Sequence, residues 1–160
     1  MKIDAVNVHY VIDGNISVIP TNMFYEEMDE DEFQNVYFEA VVNNHHIQSK
    51  PSSSVEYAIK YLQKGLPNGI TIACCQSCRY GNFNPYGNME NEIFCLKGKA
   101  LQSRWDVVEI FSEPDSSFHE RSRKLLDVCM NYKPISNDEI YTYNDWEAGL
   151  EKGLSPEIEK

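Results

Sequence analysis

Three cysteines in the middle of the chain have the residue type and the spacing for chemistry. Cys75 and Cys78 form a Cys-x-x-Cys pair, and Cys95 closes the stretch CCQSCRYGNFNPYGNMENEIFC, residues 74–95. Thiolates bind zinc in tetrahedral sites, and a Cys-x-x-Cys on a tight turn supplies two ligands at once. Cys75, Cys78 and Cys95 are therefore candidate metal ligands, and zinc is the candidate cofactor. The fourth ligand is open, with Cys129, His119, His45 and His46 as the options. A redox pair at Cys75 and Cys78 is a second reading. Redox pairs of this kind open a helix, whose N-terminus lowers the thiolate pKa. Here Arg79-Tyr80-Gly81-Asn82 follows instead, a poor helix former. The third reading is simple packing, because free cysteine is among the most buried residue types. Strand alternation puts Cys74 on the same face as Ile70 and Ile72, toward the core, and turns Cys75 the other way.

Between the thiols runs a turn system, Asn82-Phe83-Asn84-Pro85-Tyr86-Gly87-Asn88. Pro85 and Gly87 restrict the backbone, and asparagine tolerates left-handed geometry. Phe83, Pro85 and Tyr86 are the candidate binding residues, either as an aromatic contact tip or as rings capping the sheet. No catalytic residue is assigned. The chain has no Walker loop, no Gly-x-Gly-x-x-Gly, no His-Glu-x-x-His and no Gly-x-Ser-x-Gly. His119, Glu120 and Arg121 have the types for acid–base work, but a helix start explains them more simply.

The elements that must hold this stretch are legible in the hydropathy pattern. Val6, Val8, Tyr10 and Ile12 alternate, Asp13-Gly14-Asn15 signals a turn, and Ile16–Ile19 resumes the pattern, so a β-hairpin is expected, ending at Pro20. Residues 26–32, EEMDEDE, place six acids in seven positions and predict an exposed loop or one helical turn. Residues 33–42 predict a strand with Val36, Phe38, Ala40 and Val42 on one face, followed by a polar turn that includes His45 and His46. Ser53 with Glu56 forms a capping-box spacing, and Val55, Ala58, Ile59 and Leu62 form the stripe of a helix ending at Gly65. Residues 70–74, 91–96 and 104–111 predict strands. Asp115, Ser116 and Ser117 are caps for a second helix, with Phe118, Leu125, Leu126 and Cys129 on its apolar side. Tyr141, Tyr143 and Trp146 are expected to anchor the region that follows. The order predicts α+β: a mainly antiparallel sheet with two packed helices, a single compact domain over residues 1–150, and a frayed tail over 151–160.

Charge narrows the partners. The 160 residues carry a net charge of −11, and it is unevenly spread. Residues 1–50 hold nine acids and two bases, residues 51–100 three and five, residues 101–160 thirteen and seven. Such a surface repels nucleic acid and anionic membranes and attracts a basic protein. No apolar run approaches a membrane span, and the N-terminus lacks a signal-peptide core, so a cytoplasmic location is expected. Five cysteines are an odd number for a secreted disulfide framework.

Cys75, Cys78, Tyr80, Phe83, Pro85, Gly87, Cys95 and Lys97 together resemble a signature of a family of small uncharacterised bacterial proteins, a domain of unknown function. The resemblance covers about the middle 25 residues. It implies a bacterial origin and no particular activity. Small acidic proteins of this type are similar to the immunity proteins of bacterial toxin systems. The expectation is a non-enzymatic protein-interaction module, immunity-like, with a cysteine-stabilised loop. A small thiol-dependent or redox enzyme using Cys75 or Cys78 is the alternative, and a plain structural domain with packed, metal-free cysteines is the other.

Overall fold

The computed structural model describes residues 1–28, 32–86, 91–135, 141–144 and 146. The expected frayed tail and part of the acidic stretch lie outside these residues. The architecture is α+β with mainly antiparallel sheets. The chain falls into two compact units, one over residues 1–72 and one over 73–146. Among the described residues, no helix is long and apolar enough to cross a membrane.

The first unit is built on a hairpin. Strands β1 (Lys2–Ile12) and β2 (Asn15–Glu27) pair antiparallel around Asp13-Gly14. Both turn residues have positive φ, 52° and 80°, which the two-residue Asp-Gly loop supplies at low cost. The hairpin is longer than the sequence suggests, because β2 continues through Pro20. Pairing with the next strand begins only at Asn22, so the side of Pro20 away from β1 has no ladder to lose.

Strand β3 (Phe33–Val42) lies between β2 and β4 (His45–Gln48). Val36, Phe38, Ala40 and Val42 are all buried, as the alternation requires. The register shifts by one residue opposite Phe24–Glu26, and Asn35 takes up the extra residue at φ 52°. Asparagine adopts this left-handed geometry readily. His45 and His46 begin β4 rather than lying in a turn. Asn43 and Asn44, at φ 51° and 66°, are the whole turn. His46 Nε2 meets Glu39 Oε1 at 2.8 Å across the ladder.

Helix α1 (Val55–Gly65) packs on β3 and β4. Its N-cap is Ser54, one residue later than expected, and the Ser54 hydroxyl accepts from the Tyr57 amide at 3.2 Å. The predicted stripe residues Ala58, Ile59 and Leu62 are fully buried. Strand β5 (Thr71–Ala73) stands beside β1, giving the order β4-β3-β2-β1-β5.

The second unit holds a small sheet, β6 (Gly81–Asn82), β7 (Glu92–Cys95) and β8 (Ser122–Lys124), with β7 central. Two expectations are corrected here. Residues 104–111 form helix α2 (Arg104–Ser112), not a strand. Ser103 and Asp106 make a capping box, with Ser103 Oγ accepting from the Trp105 amide and Asp106 Oδ2 from the Ser103 amide, both at 3.3 Å. Residues 118–129 do not form a helix. Phe118–Arg121 is a single 3-10 turn, and Ser122–Lys124 leaves it to pair with β7. The supposed apolar side had no member between Phe118 and Leu125, so nothing held two helical turns against the core.

The core of this unit is Phe94, Leu96, Leu101, Val107 and Phe118, with Ile110, Phe111, Tyr141 and Tyr143 packed against it. Phe94 stacks on Phe118 at 4.7 Å, and Phe111 meets both rings edge-on at 5.1 Å. Trp146 is buried as well, so the three expected aromatic anchors all point inward.

Candidate functional site

The Cys-x-x-Cys pair stands on a single 3-10 turn, Cys75–Ser77. The Cys78 amide donates to the Cys75 carbonyl at 3.3 Å, and the Gly81 amide donates to the Cys78 carbonyl at 3.0 Å. The chain thus folds back on itself twice within seven residues. A Cβ on Gly81 would stand 2.1 Å from the Cys75 carbonyl oxygen and 2.9 Å from Ile93 Cδ1. Only glycine fits between the turn and β7.

Ser77 locks the turn from inside. Its hydroxyl donates to the Cys74 carbonyl at 3.2 Å, and it lies 3.2 Å from the Cys74 amide and 3.1 Å from the Tyr132 hydroxyl. Residues 125–135 strap the turn from outside. The Cys75 amide donates to the Asp127 carbonyl at 2.6 Å and the Gln76 amide to the Leu125 carbonyl at 3.1 Å. The Arg79 amide donates to the Lys133 carbonyl at 2.8 Å. Asn144 closes the remaining side, donating from Nδ2 to the Gln76 carbonyl at 2.7 Å.

Cys95 lies directly opposite Gly81 in the β6–β7 register. Arg121 Nη1 reaches the carbonyls of Cys95 and Lys97, each at 3.0 Å, and fixes the end of β7. These elements bound a pocket of about 430 Å³ lined by all five cysteines: Cys74, Cys75, Cys78, Cys95 and Cys129. Lys97, Arg121 and Arg123 line it too, as do Asp127 and Tyr132.

The sequence places Cys74 in the core and Cys75 outside it, and the structure agrees. Cys74 is fully buried, and Cys75 is half-buried on the pocket wall. Cys78 is buried and Cys95 half-buried. Cys129 is the residue that sequence reasoning misplaced. It is exposed at the pocket rather than packed along a helix with Leu125 and Leu126. The signal that could have found it is the gap in the supposed apolar stripe. Among the described residues, no three His, Cys, Asp or Glu side chains are drawn together as a metal-binding set. The thiols share one pocket without forming such a set.

Burial pushes the Cys75 thiol up to about 12, and the neighbouring Cys74, Cys78, Asp127 and Cys95 add to the shift. Burial pushes Cys74 up to about 11. Both are held as neutral thiols at neutral pH, unlike the lowered thiolate of a redox or nucleophilic cysteine. Burial also pushes the Tyr132 phenol up to about 12.

The predicted contact loop is partly folded back. Phe83 is half-buried, and its amide donates to the Tyr143 carbonyl at 2.9 Å. Pro85 is half-buried, and Asn84 Oδ1 accepts from the Tyr86 amide at 2.8 Å. Tyr86 is 60% exposed, and its hydroxyl bonds the Ser112 hydroxyl at the end of α2. Trp105, at the start of α2, is 66% exposed with the Arg104 guanidinium 5.1 Å from its ring centre. Neither the comparison with protein-family models nor that with curated proteins finds a match to this chain.

Proposed function

We propose that the protein is a non-catalytic interaction module that takes a basic protein partner on the Tyr86–Trp105 face of its second unit. The observation that carries this reading is the shared exposure of the two rings. Trp105 and Ser112 are seven residues apart on α2, two turns along one face, and Tyr86 is tied to Ser112. Glu109, between them, is exposed, as is Glu113 just beyond. Exposed Trp and Tyr are the residue types that anchor interfaces, and acidic neighbours select a cationic partner. The net charge of −11 adds long-range attraction of the same sign. The raised pKa of the Cys75 thiol weighs against that residue as a nucleophile.

The test is differential capture from a native lysate at low and moderate salt. The wild-type chain is compared with Trp105→Ala and with the Glu109→Lys, Glu113→Lys double variant. A basic protein retained by the wild type, lost with either variant and weakened by salt, supports the reading. Retention that is the same for all three chains, or no retention even at low salt, overturns it.

A further inference from the structure

Free cysteines usually pack as small hydrophobes. Cys74 fits that description, fully buried with its sulfur 3.7 Å from the Ser77 hydroxyl. The other four thiols open on the same pocket from three separate backbone segments. The 3-10 turn supplies Cys75 and Cys78. Strand β7 supplies Cys95, opposite Gly81. The strap that bonds the Cys75 amide through Asp127 supplies Cys129, two residues further on.

We propose that this pocket is a zinc site with Cys75, Cys78, Cys95 and Cys129 as its four ligands. Four thiolates from a tight turn and two further segments are the donor set of a closed structural zinc site. Each thiol gives its proton to solvent as its sulfur bonds the metal. One Zn²⁺ therefore replaces four protons, and the complex carries two negative charges. The surroundings match that product. Lys97, Arg121 and Arg123 line the same pocket, in a chain that is otherwise strongly acidic. Among the described residues no three of these side chains are yet gathered as a ligand set, so metal binding must draw them together across the pocket they line. Cys129 is the exposed member on the outer strap, so it can close over the metal after the other three have bound it.

Cobalt(II) reports on such a site through its visible spectrum. Titrated into the metal-free full chain, cobalt should bind at one ion per chain with the absorption of tetrahedral thiolate coordination, and zinc should abolish that absorption. Altering residues that only support metal ligands costs about 10–100-fold in affinity. Cys129→Ser removes a ligand, so it should weaken cobalt at least about tenfold and reduce the sulfur-to-cobalt band. Cys129 is exposed, so this variant keeps the fold, which far-UV circular dichroism checks. His119→Ala, at an exposed histidine outside the pocket lining, should leave stoichiometry and spectrum unchanged. No cobalt bound, a Cys129→Ser spectrum equal to wild type, or an equal loss from His119→Ala would each overturn the assignment.

Discussion

Gly81 shows how a single residue sets the thiol pocket. Its missing side chain lets β6 lie against the Cys75 carbonyl, and that oxygen is held by the turn itself. Backbone cannot rotate away as a flexible side chain does. Gly81→Ala should therefore destabilise the protein by at least the 1–3 kcal/mol typical of overpacking. The urea midpoint measures it, and a midpoint within error of wild type would show that the turn has slack. At this scale the sequence was informative where one local rule decided the outcome. Alternation alone separated Cys74 from Cys75. Asp13-Gly14 called for its own turn, because few other dipeptides accept two positive φ values. Cys129 was not legible, because its position depends on the strap that bonds the Cys75 amide more than fifty residues earlier.

Elements with strong local signals formed where the pattern put them. Residues 33–42 make a strand with both the expected boundaries and the expected buried face. Helix α1 forms where the stripe put it, with Ser54 in place of Ser53 as its N-cap and Leu66 rather than Gly65 just beyond its end. The two misread elements had ambiguous patterns. In RWDVVEIF, apolar residues at 105, 107, 108, 110 and 111 fit either period, and length alone does not separate a short strand from a short helix. The deciding feature lay just outside the apolar run, in the capping box of Ser103 with Asp106. Helix α2 is only nine residues long, so its start matters. Ser103→Ala should cost about 1 kcal/mol, read from the urea midpoint with far-UV circular dichroism as the probe. An unchanged midpoint would mean that packing of Val107 and Phe111, not the cap, fixes where α2 begins. In 118–129 the competing force was pairing: three residues of β8 gain a ladder with β7 that an unsupported helix would forgo.

For the molecule as a whole, the two units solve the same problem differently. The first buries one face of a long sheet under α1, and the second gathers aromatic rings beside a small sheet and fastens its irregular segments through backbone hydrogen bonds. The first buries a phenol and the second half-buries one. Tyr10 lies in the first, 2.8 Å from the Thr21 hydroxyl, and burial raises its pKa. Tyr132 lies in the second, 3.1 Å from the Ser77 hydroxyl, and burial raises it from 10.0 to about 12. Folding favours the protonated phenol in both cases. The linked stability is complete below pH 10, where folded and unfolded chains both keep the proton. It is lost as pH rises from 10 through about 12, where the unfolded chain ionises first. Tyr132→Phe separates this effect from ordinary packing. At neutral pH the variant loses the hydrogen bond to Ser77 and should be less stable by about 0.5–1.5 kcal/mol. Phenylalanine has no proton to lose, so the variant escapes the alkaline penalty and the gap to wild type should narrow as pH climbs through that window. Urea midpoints of the two metal-free chains, at pH 7 and again near the top of the window, measure it. A gap that stays constant would mean that Tyr132 ionises in the folded protein as easily as in water, and that the strap around the thiol turn lets solvent in.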